Sequence, residues 1–103
     1  MNMKGALPLL ILHILAKGPS HGYQIAKQIK QQSHGVLEFA EGTLYPTLHS
    51  LEQQGMIESF EMLENGRTRR YYQLTTDGQA ALARERDEWK RYSNALNTVL
   101  GEA

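Results

Sequence analysis

Apolar positions recur along this chain in more than one rhythm, and each rhythm predicts a different element. From Leu7 to about Lys17 they go almost all the way round a helical cylinder, which predicts a first helix buried on more than one side. Pro8 would then sit in the first turn, where the N–H groups are free anyway. Gly18-Pro19 stops that helix. Ser20 is a natural N-cap for a second one, roughly His21 to Gln32, with Ile25 and Ile29 facing inward and Gly35 suited to its left-handed end. A connector, Val36–Glu41, leads to a third helix, about Gly42 to Gln54, closed by Gly55. There Leu44, Leu48 and Leu51 recur at i, i+4 and i+7 on one face. Thr43, Pro46, Thr47 and Ser50 follow a similar spacing and are expected on the opposite face, flanked by Tyr45 and His49. Pro46 is expected to fix the helix start.

The period then shortens to that of strands. Met56–Leu63 and Thr68–Leu74 flank Glu64-Asn65-Gly66-Arg67, and Asn-Gly between β-rich runs is a strong hairpin signal. Alternation places Arg70, Tyr72 and Leu74 on one face and Arg69 and Tyr71 on the other. Thr75 can cap a last helix from Thr76 to about Leu100, roughly 37 Å long at the α-helical rise. Its apolar residues Leu82, Trp89, Tyr92, Leu96, Val99 and Leu100 form an interrupted stripe. The stripe lapses at Glu85 and Arg86, so it is no strict coiled-coil seam. Much of this helix must project, and a projecting apolar stripe needs a partner. The simplest partner is a second copy of the chain.

A helix sized for a groove beside a ribbon with arginines at its tip describes a winged helix-turn-helix. The fold class is therefore α+β, mainly α: three helices and a two-stranded wing, followed by a long C-terminal helix. The expected organisation is one integrated domain, with residues 1–74 as the DNA-binding region and 75–103 as the dimerisation helix. A length of 103 residues suits one domain, and 41% hydrophobic with 21% charged residues is an ordinary globular balance. The chain has no cysteine, which removes disulfides and thiolate metal sites and makes a cytoplasmic location the default expectation. The apolar run Leu7–Leu15 is too short to span a bilayer and lacks a signal-peptide cleavage site.

A net charge of zero argues against strong non-specific binding to nucleic acid. Its distribution changes that picture. Residues 1–34 hold four lysines and no acid, residues 35–64 six glutamates and no base, and residues 65–74 three arginines and no acid. Two basic blocks are hidden in a neutral total, and the fold decides whether they meet.

Ser20-His21-Gly22-Tyr23, Gly42-Thr43-Leu44-Tyr45-Pro46, Leu51-Glu52-x-x-Gly55-x-Ile57 and Gly66-Arg67-x-Arg69-Arg70-Tyr71-Tyr72-x-Leu74-Thr75 occur in this order. Together they resemble the PadR family of bacterial transcriptional regulators over nearly the whole chain. The single C-terminal helix is similar to the compact members of that family. The resemblance implies a winged-helix homodimer on a palindromic operator, most often a repressor. It also implies dimerisation through the last helix, aided by the first, and so places Leu10, Ile14, Leu82, Trp89, Tyr92, Leu96, Val99 and Leu100 at the interface. Glu38 and Glu41 depart from what a DNA-facing segment needs, although a glutamate near a helix N-terminus is favoured by the dipole.

The third helix has no acid between residues 43 and 51, which suits approach to phosphates. Thr43, Tyr45, Thr47, His49 and Ser50 are expected in the major groove, with Pro46 beside them. Arg67 and Arg69 are expected to grip the flanking backbone, Arg67 at the tip most securely, with Arg70 as a further candidate. Ser20, His21 and Tyr23 either receive a phosphate at the second helix's N-terminus or serve as a cap and a core tyrosine. Lys27, with Lys30, adds general electrostatics or a solvated face. Trp89, with Tyr92 three residues on, is either interface core or an aromatic wall for a small planar effector, as some compact relatives use. The four histidines have no metal-ligand spacing, no cofactor is implied, and no enzyme signature occurs. The rival reading is a winged helix that binds protein rather than DNA, supported by the neutral total and by the glutamates at 38, 41, 58, 61 and 64.

Overall fold

The computed structural model describes residues 3–102, as α1 (Met3–Leu15), β1 (Ser20–His21), α2 (Gly22–Gln32), α3 (Glu41–Gln53), β2 (Ile57–Glu64), β3 (Arg67–Leu74) and α4 (Thr76–Leu100). The all-round apolar character of α1 has the expected consequence. Leu7, Ile11, Leu12, Ile14 and Leu15 are buried, and the helix packs against α2, α3, α4 and β3. It begins a turn earlier and ends sooner than the sequence suggests, so Pro8 lies inside it rather than in its first turn. Pro8 therefore denies the carbonyl four residues back its usual partner, close to the start of the helix.

The cap of α2 is not Ser20. Ser20 and His21 pair antiparallel with Tyr72 and Tyr71 of β3, which turns the Ser20 side chain into the core. The cap passes to His21, whose Nδ1 accepts the Gln24 N–H at 3.2 Å. Ile25 and Ile29 are buried as expected. At the other end the Gly35 N–H donates to the Lys30 carbonyl at 2.8 Å and the His34 N–H to Gln31 at 3.1 Å. This pair of bonds is a Schellman end. It puts His34 (φ 53°) in the left-handed position one residue before Gly35 (φ 81°).

In α3, Leu44, Leu48 and Leu51 are buried on the inner stripe. Pro46 is the sixth residue of this helix and does not mark its start. The hairpin turn has φ 50° at Asn65 and 77° at Gly66, the positive pair that a type I′ turn needs. The sheet order is β1-β3-β2, with β2 at one edge. β2 and β3 pair from Ile57↔Leu74 out to Glu64↔Arg67.

The last helix starts where Thr75 Oγ1 accepts the Gly78 N–H at 3.0 Å and donates to the Gly55 carbonyl at 2.6 Å. Gly78 is required by packing, because a Cβ there would lie 1.9 Å from the Met56 carbonyl oxygen. Ala81 and Leu82 join the core. α4 continues beside α1, where Arg86 Nη2 lies 2.9 Å from His13 Nδ1 and Trp89 and Tyr92 face Gly5, Ala6 and Leu9. Its last turns project, giving a molecule 54 × 29 × 22 Å. No helix among the described residues is long and apolar enough to cross a membrane.

Candidate nucleic-acid interface

Two helices cross where Gly22 meets Tyr45. A Cβ on Gly22 would stand 2.7 Å from the Tyr45 hydroxyl oxygen, so the missing side chain lets the Tyr45 ring lie across the start of α2. Tyr45 thereby separates two clefts. One, of about 440 Å³, is lined by His21, Gly22, Tyr23, Tyr45, His49, Arg69, Arg70 and Tyr72. The other, of about 520 Å³, includes Tyr23, Lys27, Lys30, Glu38, Glu41 and Tyr45. The basic blocks of α2 and β3 thus meet on either side of one exposed tyrosine. Within the second cleft Lys30 Nζ lies 3.2 Å from Glu38, and that glutamate's charge is offset. Both groups are more than half exposed, so the pair adds little stability. Glu41 occupies the first turn of α3, where the helix dipole favours it.

The solvent face of α3 differs from the expected one. At roughly 100° per residue, the stripe opposite the three leucines is Gly42, Pro46, His49 and Gln53. All four are exposed. Thr43, Pro46, Thr47 and Ser50 instead centre about a third of a turn from the leucines. Thr47 is half-buried, its hydroxyl donates to the Thr43 carbonyl at 2.8 Å, and it lines a cleft shared with α1 and α4. Ser50 stands at the same cleft, accepting from Gln54 Nε2 at 3.1 Å. Gln53 was missed by reasoning from residue type, although the angular arithmetic alone places it beside His49.

The wing arginines divide by face. Ser59 donates to Glu52 of α3 at 2.5 Å, so the sheet face carrying Ser59, Arg70 and Tyr72 is the one that looks toward α3. Arg70 accordingly lines the cleft with Tyr45 and His49. Arg69 lies on the outer face and reaches that cleft only at the His21 rim. Its Nε is 3.6 Å from Glu64 and its Nη1 2.9 Å from His21 Nε2. Tyr71 donates to the same Glu64 carboxylate. The expectation that Arg69 grips a backbone conflicts with this engagement. Arg67, at the tip, is exposed.

His21 is held between two donors. A neutral imidazole has one acceptor nitrogen, so capping Gln24 and accepting from Arg69 compete for it. Burial, and then the Arg69 guanidinium, push its pKa below the ordinary histidine value against the opposing pull of Glu64. Burial also raises the Tyr72 hydroxyl, and nearby Arg70 lowers it. Of the remaining candidates, Tyr23 is 67% exposed and stacks on His21, which removes the core-tyrosine reading, whereas Ser20 is buried. Lys27 is exposed.

At the other end of the molecule, Trp89 and Tyr92 stand with ring centroids 5.8 Å apart over a cleft of about 240 Å³ bounded by Gly5, Ala6, Leu9, Glu85 and Glu88. Tyr92, Leu96, Val99 and Leu100 remain exposed along the projecting part of α4. Ile14 and Leu82, expected at a subunit interface, are 3% and 8% exposed within one chain. The crossing of α1 and α4 in the core consumes them, and Leu10 is half-buried beside it.

Three helices, a short strand before α2 and a hairpin beside α3 define a winged helix-turn-helix protein. The family model of the PadR-like transcriptional regulators matches residues 11–84, and the chain belongs to that family. Among its relatives, a transcriptional regulator of Mycobacterium tuberculosis is 39% identical over 81% of this chain and 75% of its own length. A transcriptional regulator from Clostridium thermocellum superposes with a TM-score of 0.87 at 30% identity, covering 93% of this chain and 94% of that one. PadR of Bacillus subtilis, solved in complex with operator DNA, superposes with a TM-score of 0.69 at 26% identity, over 76% of this chain and 45% of that one.

Proposed function

We propose that the chain is a cytoplasmic, sequence-specific DNA-binding regulator, acting as a homodimeric repressor on a palindromic operator. The observation that carries this is the convergence on one surface of the acid-free α3 face, the α2 N-terminus and Arg70. His49, Gln53, Tyr45 and Thr43 present donors and acceptors to base edges, with Pro46 packed among them, while Ser50 stands at the α1–α4 side. Tyr23, Lys27, Arg67 and Arg70 approach phosphates, which position the protein without reading sequence. That PadR of Bacillus subtilis was solved in complex with operator DNA supports DNA as the partner. The exposed side chains of α4 supply the second half, since two copies are needed to read two half-sites.

A small planar aromatic effector is the proposed release signal, stacked on Trp89 and Tyr92 beside Glu85 and Glu88. Titration of the protein against duplexes from a random-sequence library tests the main reading. Enrichment of an inverted repeat supports it, and binding only to protein targets in the same buffer would favour the interaction-module alternative. Quenching of Trp89 fluorescence by planar aromatic compounds tests the effector, and an unresponsive Trp89 across a broad panel would remove it.

A further inference from the structure

The motif Leu51-Glu52-x-x-Gly55-x-Ile57 holds one acid that a DNA-reading helix does not call for. Glu52 lies in the last turn of α3, three residues from His49 and next to Gln53, where a free carboxylate would oppose phosphates. It is not free. At about 100° per residue Glu52 falls on the flank of α3 that carries Tyr45, between the buried leucines and the His49–Gln53 stripe. Thr47 and Ser50 hold the other flank, toward α1 and α4. Glu52 is half-buried and accepts the Ser59 hydroxyl of β2 at 2.5 Å. Among the described residues this is the only side-chain hydrogen bond between α3 and the hairpin.

Its position gives the bond leverage. Only residues 54–56 join α3 to β2, with Gly55 at φ 76°. Ile57 is buried in the core, and Ser59 lies two residues further out along the hairpin. Ser59 pairs with Tyr72, whose hydroxyl lies within electrostatic reach of Arg70, Glu52 and Tyr45. The bond therefore stands beside the cleft where α3 and Arg70 converge. We infer that Glu52 is a positioning residue that fixes the wing against α3, so that the reading stripe and Arg70 engage a half-site as one rigid unit. This rests on the reading of the protein as a DNA binder. Without the bond, the wing must be ordered when DNA binds, and that ordering costs affinity. Turned to the wing, the carboxylate is also kept off the groove.

The test uses the duplex that the wild-type protein selects from a random library, with affinity measured by fluorescence anisotropy. Glu52→Ala and Ser59→Ala should each weaken binding about tenfold, the cost of ordering two wings in a two-fold complex. Glu52→Gln keeps an acceptor oxygen for Ser59 and should stay within about threefold of wild type, with the same preferred bases. The decisive measurement is a double-mutant cycle. Arg70→Ala should cost roughly a hundredfold alone, as two lost phosphate contacts do, and no more than about tenfold once Glu52→Ala or Ser59→Ala has freed the wing. A role in folding alone would lower the melting temperature and leave the cost of Arg70→Ala the same in every background, which overturns the inference. An altered base preference in Glu52→Gln also overturns it, since Glu52 would then read a base directly. Ser59→Ala is a small change outside the core, and it carries the cycle if Glu52→Ala does not fold. Either contrary result leaves the DNA reading intact, whereas a wild-type protein that selects no duplex would sink that reading itself.

Discussion

The division of the wing arginines by face yields a comparison that residue type alone would not suggest. Arg70→Ala and Arg69→Ala remove the same charge from adjacent positions, so any general electrostatic account gives them equal effects. Geometry separates them. Arg70 lines the cleft with Tyr45 and His49, and Arg69 lies 3.6 Å from Glu64 on the far face. A charge-assisted hydrogen bond to a phosphate contributes about 1.5 kcal/mol or more. A two-fold complex loses two of them, about 3 kcal/mol, or roughly a hundredfold in affinity. The salt slope should fall in magnitude by roughly 2, since each released phosphate contributes about 0.9. Arg69→Ala breaks a pair whose side chains are 41% and 38% exposed, which is worth at most about 1 kcal/mol of folding stability. Its binding should change by less than about threefold. Anisotropy titrations from about 50 to 200 mM salt resolve both quantities. A larger loss of affinity and slope for Arg69→Ala than for Arg70→Ala would refute the assignment of faces.

Other outcomes follow from the core, the cap and the last helix. Gly78→Ala sets a Cβ 1.9 Å from the Met56 carbonyl oxygen, and thermal or urea unfolding should show a loss of about 3 kcal/mol, at the upper end for overpacking; a near-neutral value would contradict the packing of α4 on Met56. His21 and His13 both have pKa values lowered first by burial, His13 also by Lys17 and Arg86, so the folded state binds fewer protons than the unfolded one. Stability from these groups is complete above the ordinary histidine value of about 6.5 and is lost as pH falls toward the folded values. His21→Asn keeps a good cap and should flatten part of that acid-side decline in a pH series of melting temperatures; an unchanged slope would remove His21 from it. Val99→Glu with Leu100→Glu alters side chains that are 85% and 68% exposed in one chain, so folding should persist while sedimentation shifts to the monomer; an unchanged dimer would move the interface elsewhere.

What the sequence made legible was local. Asn65-Gly66 specifies its turn through backbone sterics, Thr75 caps through its own hydroxyl, and the leucine spacing of α3 requires nothing beyond helix geometry. The misplacements came from contacts distant along the chain. Ser20 has every property of a cap, but the pairing of β1 with Tyr72 and Tyr71, some fifty residues away, turns it inward and hands the cap to His21. Alternation separates Arg69 from Arg70, yet only the Ser59–Glu52 contact reveals which of them looks toward α3. Ile14 and Leu82 read as interface residues because an apolar stripe does not reveal whether its partner is the same chain or another. Gln53 is a different kind of miss. Its position follows from about 100° per residue, and the emphasis on small hydroxyl side chains passed over it.

Sequence-specific reading by the exposed face of α3 is the central claim, and selection from a random duplex library tests it most directly. The wild-type protein should enrich an inverted repeat whose half-site centres lie about 34–36 Å apart or a multiple of that. It should bind that duplex at least about a thousandfold more tightly than a scrambled one at physiological salt. His49→Ala and Gln53→Ala should relax the preferred base at their own positions in each half-site and leave the salt slope unchanged. Equal affinity for selected and scrambled duplexes, or an unaltered preference in both variants, would contradict it.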